Sequence, residues 1–126
     1  GSKNVKISEY IEIGNIYADS KRIRQILSNL ISNAIKYTNE GVIKVNAYQK
    51  DGKYVFSIND TGCGIKKENL TKVFEPFFRE LRDGYLKKGM GLGLSICRKI
   101  VTVLGGEIFC ESESGKGTTF TFYIPF

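Results

Sequence analysis

The sequence contains no histidine and no tryptophan, only two prolines, and three cysteines at positions 63, 97 and 110. Without histidine there is no serine–histidine or cysteine–histidine nucleophile pair and no histidine metal site. An odd cysteine count with no CxxC spacing suggests neither a disulfide framework nor a zinc site, and Cys97 and Cys110 read as packing residues. No apolar run approaches the roughly 18–20 residues of a membrane helix, and no signal peptide is visible. Low-complexity tracts, internal repeats and Pro/Gly/Ser linkers are missing too.

What remains is ordinary for a globular chain: 126 residues, 41% hydrophobic and 25% charged. That is enough for one domain with a real core and too little for two. Gly1-Ser2 reads as a cloning scar, leaving 3–126 as a single domain. The net charge of +6 comes from 19 basic and 13 acidic residues. The basic residues are spread along the chain without a dense arm, so nucleic acid is not indicated; a solvated surface or a phosphate-bearing ligand fits as well.

Val5 to Ala18 reads as two extended pieces broken at Gly14-Asn15. Asp19 is a good N-cap, and Ile23, Ile26, Leu27, Leu30, Ile31, Ala34 and Ile35 make the apolar stripe of a long helix ending near Thr38-Asn39. Val42 to Gln49 alternates, Asp51-Gly52 signals a hairpin, and Tyr54, Phe56 and Ile58 mark a second strand. Lys66 to Val73 reads as a short helix and residues 75 to 90 as a loop. A second long helix runs from about Gly91 to Leu104, stopped by Gly105-Gly106. Two closing strands, Glu107 to Ser112 and Thr118 to Ile124, follow. Hairpin-joined strands mixed with helices predict an α+β fold: a mostly antiparallel sheet covered on one face by helices.

Three clusters carry chemistry. On the first helix Asn29, Asn33 and Lys36 fall together beside the apolar stripe. Asparagine is a mediocre helix former. Its amide oxygen can ligate Mg²⁺ and a lysine can hold phosphate, although solvent-facing polar residues would look the same. Asp60-Thr61-Gly62-Cys63-Gly64-Ile65 follows a strand directly. It reads either as a turn or as a site in which the carboxylate, which only accepts hydrogen bonds, meets the exocyclic amine of adenine and so rejects guanine. Gly89-Met90-Gly91-Leu92-Gly93-Leu94 opens the second long helix, where exposed amides attract phosphate, though close helix packing would also use glycine. There is no P-loop: Cys110 stands where its first glycine belongs, and Gly117 where Ser or Thr should follow Lys116. Phe74 through Arg79, and Gly115 through Phe120, taken singly, read as a loop anchor and a hairpin turn.

Taken in order, these clusters resemble the catalytic and ATP-binding domain of sensor histidine kinases, from about Asp19 to Pro125. That domain belongs to the superfamily shared with DNA gyrase, heat-shock chaperones and mismatch-repair ATPases. Asn29 through Tyr37 matches the asparagine box, and Asp60 through Gly64 the first glycine box. Phe74 through Arg79 matches the phenylalanine box, Gly89 through Leu94 the second glycine box, and Gly115 through Phe120 the last. The resemblance implies the two-layer Bergerat-type ATP-binding fold with ATP under a lid, here a short one at 80 to 88. It implies Asn33 as the Mg²⁺ ligand, and phosphate contacts from Asn29, Lys36 and the glycine-box residues Gly89, Gly91, Leu92, Gly93 and Leu94. Tyr37 would stack near the adenine, Asp60 bind its amine and Thr118 lie nearby, and Gly62, Gly64, Ile65, Phe74 and Arg79 would complete the nucleotide-binding set.

By the same resemblance Arg79, with Lys36, assists transfer of the γ-phosphoryl group; a salt bridge from Arg79 to Glu80 or Asp83 is the alternative. The acceptor histidine is missing, and the resemblance puts it on a separate helical dimerisation domain of the same polypeptide. The implied partners are that domain and, indirectly, a response regulator. No nucleic acid and no direct membrane contact are expected, and the isolated domain is expected to be a cytoplasmic monomer. Hydrolytic relatives carry a glutamate where this chain has Asn29, an amide that cannot act as a base, so an ATP-hydrolysing machine is the lesser reading. A serine kinase of the anti-sigma type and a catalytically silent nucleotide-binding regulator are further alternatives.

Overall fold

A computed structural model describes residues 4–13, 19–75, 81–82, 85–86 and 93–126. Five strands form one sheet in the order β1-β2-β3-β7-β6: β1 (Asn4–Glu12), β2 (Glu40–Lys50), β3 (Lys53–Asp60), β7 (Gly117–Pro125) and β6 (Glu107–Glu113). β1 runs parallel to β2, with α1 (Ser20–Tyr37) between them in sequence, and every other pairing in this sheet is antiparallel. The expectation of a mostly antiparallel sheet under helices holds, and β1 makes the sheet mixed. The second of the two extended pieces expected before Asp19 lies outside the described residues.

Alternation along the strands decides which face is buried. Ile43, Val45 and Ala47 of β2, Tyr54, Phe56 and Ile58 of β3, and Phe120, Phe122 and Ile124 of β7 point to one side. There they meet Ile23, Ile26, Leu30 and Ala34 of α1, and Cys97 and Val101 of α2 (Gly93–Val103). Phe56 stacks on Phe122 across the β3–β7 ladder, with ring centroids 4.8 Å apart. Asp19 caps α1, its Oδ1 accepting from the Arg22 amide at 3.2 Å. α2 is stopped just past Val103 by Gly105, whose φ of +86° suits glycine, and the Gly106 amide bonds back to the Val101 carbonyl at 2.9 Å.

Three local expectations are corrected. Ile35 is 39% exposed rather than part of the buried stripe. At 100° per residue it falls about 140° from Leu30, beyond the reach of the sheet. Lys66 to Val73 is not a helix but a single 3₁₀ turn, Lys67–Asn69, followed by further turns. Its bonds all span three residues, from Asn69 to Lys66, Leu70 to Lys67 and Lys72 to Asn69, which suits a stretch holding the weak helix formers Asn69 and Thr71. Finally, the region expected to be loop contains two paired two-residue strands, β4 (Leu81–Arg82) and β5 (Tyr85–Leu86).

Candidate functional site

The last turn of α1, the end of β3 and the β6–β7 turn converge. Asn29, Asn33, Lys36 and Tyr37 are all half-buried along one side of α1. Asp60, the last residue of β3, is 5% exposed, and its Oδ1 accepts from the Gly62 amide at 2.9 Å. The loop that follows is tied to the helix end, since the Cys63 amide donates to the Tyr37 carbonyl at 3.4 Å. Gly62 fits only because it lacks a side chain: a Cβ would run into the Tyr37 carbonyl and come within 2.9 Å of both Asp60 Oδ1 and Thr38 Oγ1. That Thr38 hydroxyl is buried and has no partner among the described residues.

The same loop is clasped from the other side. The Gly115 amide donates to the Cys63 carbonyl at 2.7 Å, and the Ile65 amide to Ser112 Oγ at 2.7 Å. Gly64 packs on the Glu113 carbonyl, and Gly117, at φ +127°, on the Asp60 carbonyl, each too closely for a side chain. Thr118 is 4% exposed and lies directly opposite Asp60 in the β3–β7 register. Two sequence-distant boxes therefore form one backbone-bonded unit with Asp60 and Thr118 on the same face.

At the other end of the site, α2 starts against α1. Cys97, one turn after Gly93, is buried and its Sγ donates to the Ile26 carbonyl at 3.8 Å; burial pushes its thiol up to about 11, against the opposing pull of the Asn29 side chain and of a backbone bond. Among the described residues, nothing lies within 4 Å of where a Cβ on Gly93 would sit. Leu94 packs on the core. Phe74 is half-buried, edge-on to Phe120 at 6.0 Å, with the Arg98 guanidinium 5.9 Å from its ring centre. Ile65 is fully buried beneath the loop. Arg79, Gly89, Gly91 and Leu92 lie outside the described residues.

A cleft of about 440 Å³ is lined by Tyr37, Asn39, Glu40, Thr61, Gly62, Cys63, Ser114 and Gly115. It shares Tyr37 and Gly62 with the expected site, but Asp60, Asn33 and Thr118 do not line it, so it lies beside the Asp60–Thr118 face and is not that face itself. Sequence reasoning missed Ser112 and Thr38. Ser112 was detectable, because β6 alternates and it is the polar residue in register with inward-facing Ile108 and Cys110. Nothing in the sequence singles out the Thr38 hydroxyl.

The model of the histidine kinase-, DNA gyrase B-, and HSP90-like ATPase family matches residues 18–126. Among curated relatives, the adaptive-response sensory kinase SasA of Crocosphaera subtropica is 42% identical over 98% of this chain and 33% of its own length. The sensor histidine kinase RcsC of Escherichia coli is 41% identical over 85% of this chain and 11% of its own. This chain thus spans a third or less of the length of these relatives. Among solved structures, full-length ShkA in complex with AMPPNP superposes with a TM-score of 0.85 at 34% identity, over 97% of this chain and 26% of that one. The catalytic domain of the histidine kinase ThkA superposes with a TM-score of 0.81 at 37% identity, over 97% and 80%. The chain belongs to the histidine kinase-, DNA gyrase B- and HSP90-like ATPase family, as a catalytic, ATP-binding domain of the histidine kinase kind.

Proposed function

We propose that this domain binds Mg-ATP and donates its γ-phosphoryl group to a histidine on a separate helical dimerisation domain of the same polypeptide, which in turn serves a response regulator. The single observation that carries the reading is Asp60: a buried carboxylate at a strand end, braced by the Gly62 amide and opposite Thr118. A buried acceptor in that position favours a base with an exocyclic amine. ATP suits the surroundings in two further respects. The buried Thr38 hydroxyl beside Gly62 has a bond to gain from a bound molecule or water. α2 begins at Gly93, and a helix N-terminus favours phosphate.

Asn33 would supply an amide oxygen to Mg²⁺, and Asn29, Lys36 and the second glycine box would hold phosphates. Among the described residues no group of three His, Cys, Asp or Glu could hold a metal by itself. An ion held by the Asn33 amide oxygen would arrive with the nucleotide and complete its shell from phosphate oxygens. When bound, that ion would neutralise phosphate charge as the γ-phosphoryl group leaves. Arg79 would favour the transition state from the phenylalanine box. No helix among the described residues is long and apolar enough to cross a membrane. From its likeness to sensor kinases we place the domain in the cytoplasm, acting as a monomeric unit without nucleic acid.

Calorimetry with ATP and GTP tests the reading. The wild-type domain is expected to bind ATP in the presence of Mg²⁺ and GTP much more weakly. Asp60→Asn is expected to lose roughly ten- to a hundredfold in ATP affinity, the value of one buried charged hydrogen bond. Equal binding of ATP and GTP by the wild type would remove the adenine assignment.

A further inference from the structure

The Ser112 hydroxyl, which faces inward from β6, meets three partners. The Ile65 amide lies at 2.7 Å and can only donate. The Gly117 carbonyl lies at 2.8 Å and can only accept. Thr118 Oγ1, also at 2.8 Å, is able to do either. A serine hydroxyl has one hydrogen to give. Given to the Gly117 carbonyl, it leaves the serine oxygen to accept from Ile65 and from Thr118, and all three contacts are satisfied. Given to Thr118 instead, it strips the buried Gly117 carbonyl of this bond, the costlier arrangement. Thr118 therefore spends its hydrogen on Ser112 and has only lone pairs left to offer. It offers them on the face it shares with Asp60, directly across the β3–β7 ladder.

We infer that Ser112 is a positioning residue: it holds Thr118 as a hydrogen-bond acceptor beside Asp60, so that two acceptors, and no donor from Thr118, confront the base. The ligand class selected is a purine nucleotide with an amine at C6, and one with an oxygen there sets acceptor against acceptor at that carbon. This rests on the adenine site proposed above and adds to it a residue with no need to touch the nucleotide.

The test compares Mg-ATP with Mg-ITP, whose purine carries an oxygen at C6 in place of the amine. Dissociation constants are measured for the wild type, Ser112→Ala, Thr118→Val and the double variant. In Ser112→Ala the Thr118 hydrogen is released and can turn towards the base, so the preference for ATP over ITP should shrink by roughly three- to tenfold, about the net value of one hydrogen bond. Thr118→Val removes an acceptor and should shrink the preference as well, and Ser112→Ala should then change it no further. Equal losses for both nucleotides in Ser112→Ala would make the serine merely structural and overturn the inference. An increased preference in Thr118→Val would show that Thr118 donates, which also overturns it. If Ser112→Ala does not fold, the direction of the Thr118→Val change decides alone. A wild type that does not distinguish ATP from ITP would instead refute the underlying adenine site, an outcome separable from the others because it needs no variant.

Discussion

Gly62 shows what a single position must do here. Its Cα faces the carbonyl that ends α1 while its amide braces the Asp60 carboxylate. Gly62→Ala puts a methyl group against the Tyr37 backbone, which cannot swing aside as a flexible side chain would. Forced overpacking of this kind costs roughly 1–3 kcal/mol. Urea titration of the variant should show a lowered midpoint and calorimetry a weakened hold on ATP; an unchanged midpoint would mean the loop yields without cost. Asp60 and Gly62 were legible as types, a carboxylate after a strand and a glycine two residues on. Ser112 was not read, because in sequence a serine among glutamates looks solvated. Only the alternation of β6, and the arrival of Ile65 from another part of the chain, give it partners.

At the level of elements, periodicity carried most of what could be read. α1 and the strands β2, β3, β6 and β7 are amphipathic with clear periods, and their burial follows. Lys66 to Val73 misled because Leu70, Val73 and Phe74 repeat the spacing of one helical turn, which successive 3₁₀ turns satisfy just as well. The β4–β5 ladder was missed because two residues per strand are too few to show alternation, although Asp83-Gly84 between them is a hairpin dipeptide. The parallel partnership of β1 with β2 is a long-range pairing that local pattern does not encode. The capped start of α1 provides a check. Asp19→Ala removes the acceptor for the Arg22 amide and should cost about 1 kcal/mol. Denaturant unfolding should show that loss with nucleotide preference unaltered; no loss would mean the Asp19 cap adds nothing.

For the whole molecule, the decisive feature is what the chain brings to the proposed transfer and what it lacks. It has no histidine, and an amide, Asn29, stands where hydrolytic relatives are expected to carry a base. Nucleotide and γ-phosphoryl group should therefore be held without being spent, and this chain alone should show neither autophosphorylation nor steady-state phosphate release above background. Arg79, at the end of the phenylalanine box, should matter to transfer more than to binding, because a fixed guanidinium contributes most where phosphoryl charge shifts. Arg79→Ala should leave ATP affinity nearly unchanged while slowing transfer by roughly 10²–10³-fold. Affinity and transfer lost in equal proportion would favour a simple binding role.

The most direct measurement is phosphoryl transfer in trans. The domain is incubated with Mg²⁺ and ATP labelled at the γ-phosphate, with and without the proposed acceptor, a histidine-bearing dimerisation domain. Acid-labile, base-stable label is expected on that domain, dependent on its histidine, with almost no free phosphate when it is left out. Label that stays in ATP with the acceptor present, or that appears as inorganic phosphate without it, would rule out the proposed transfer.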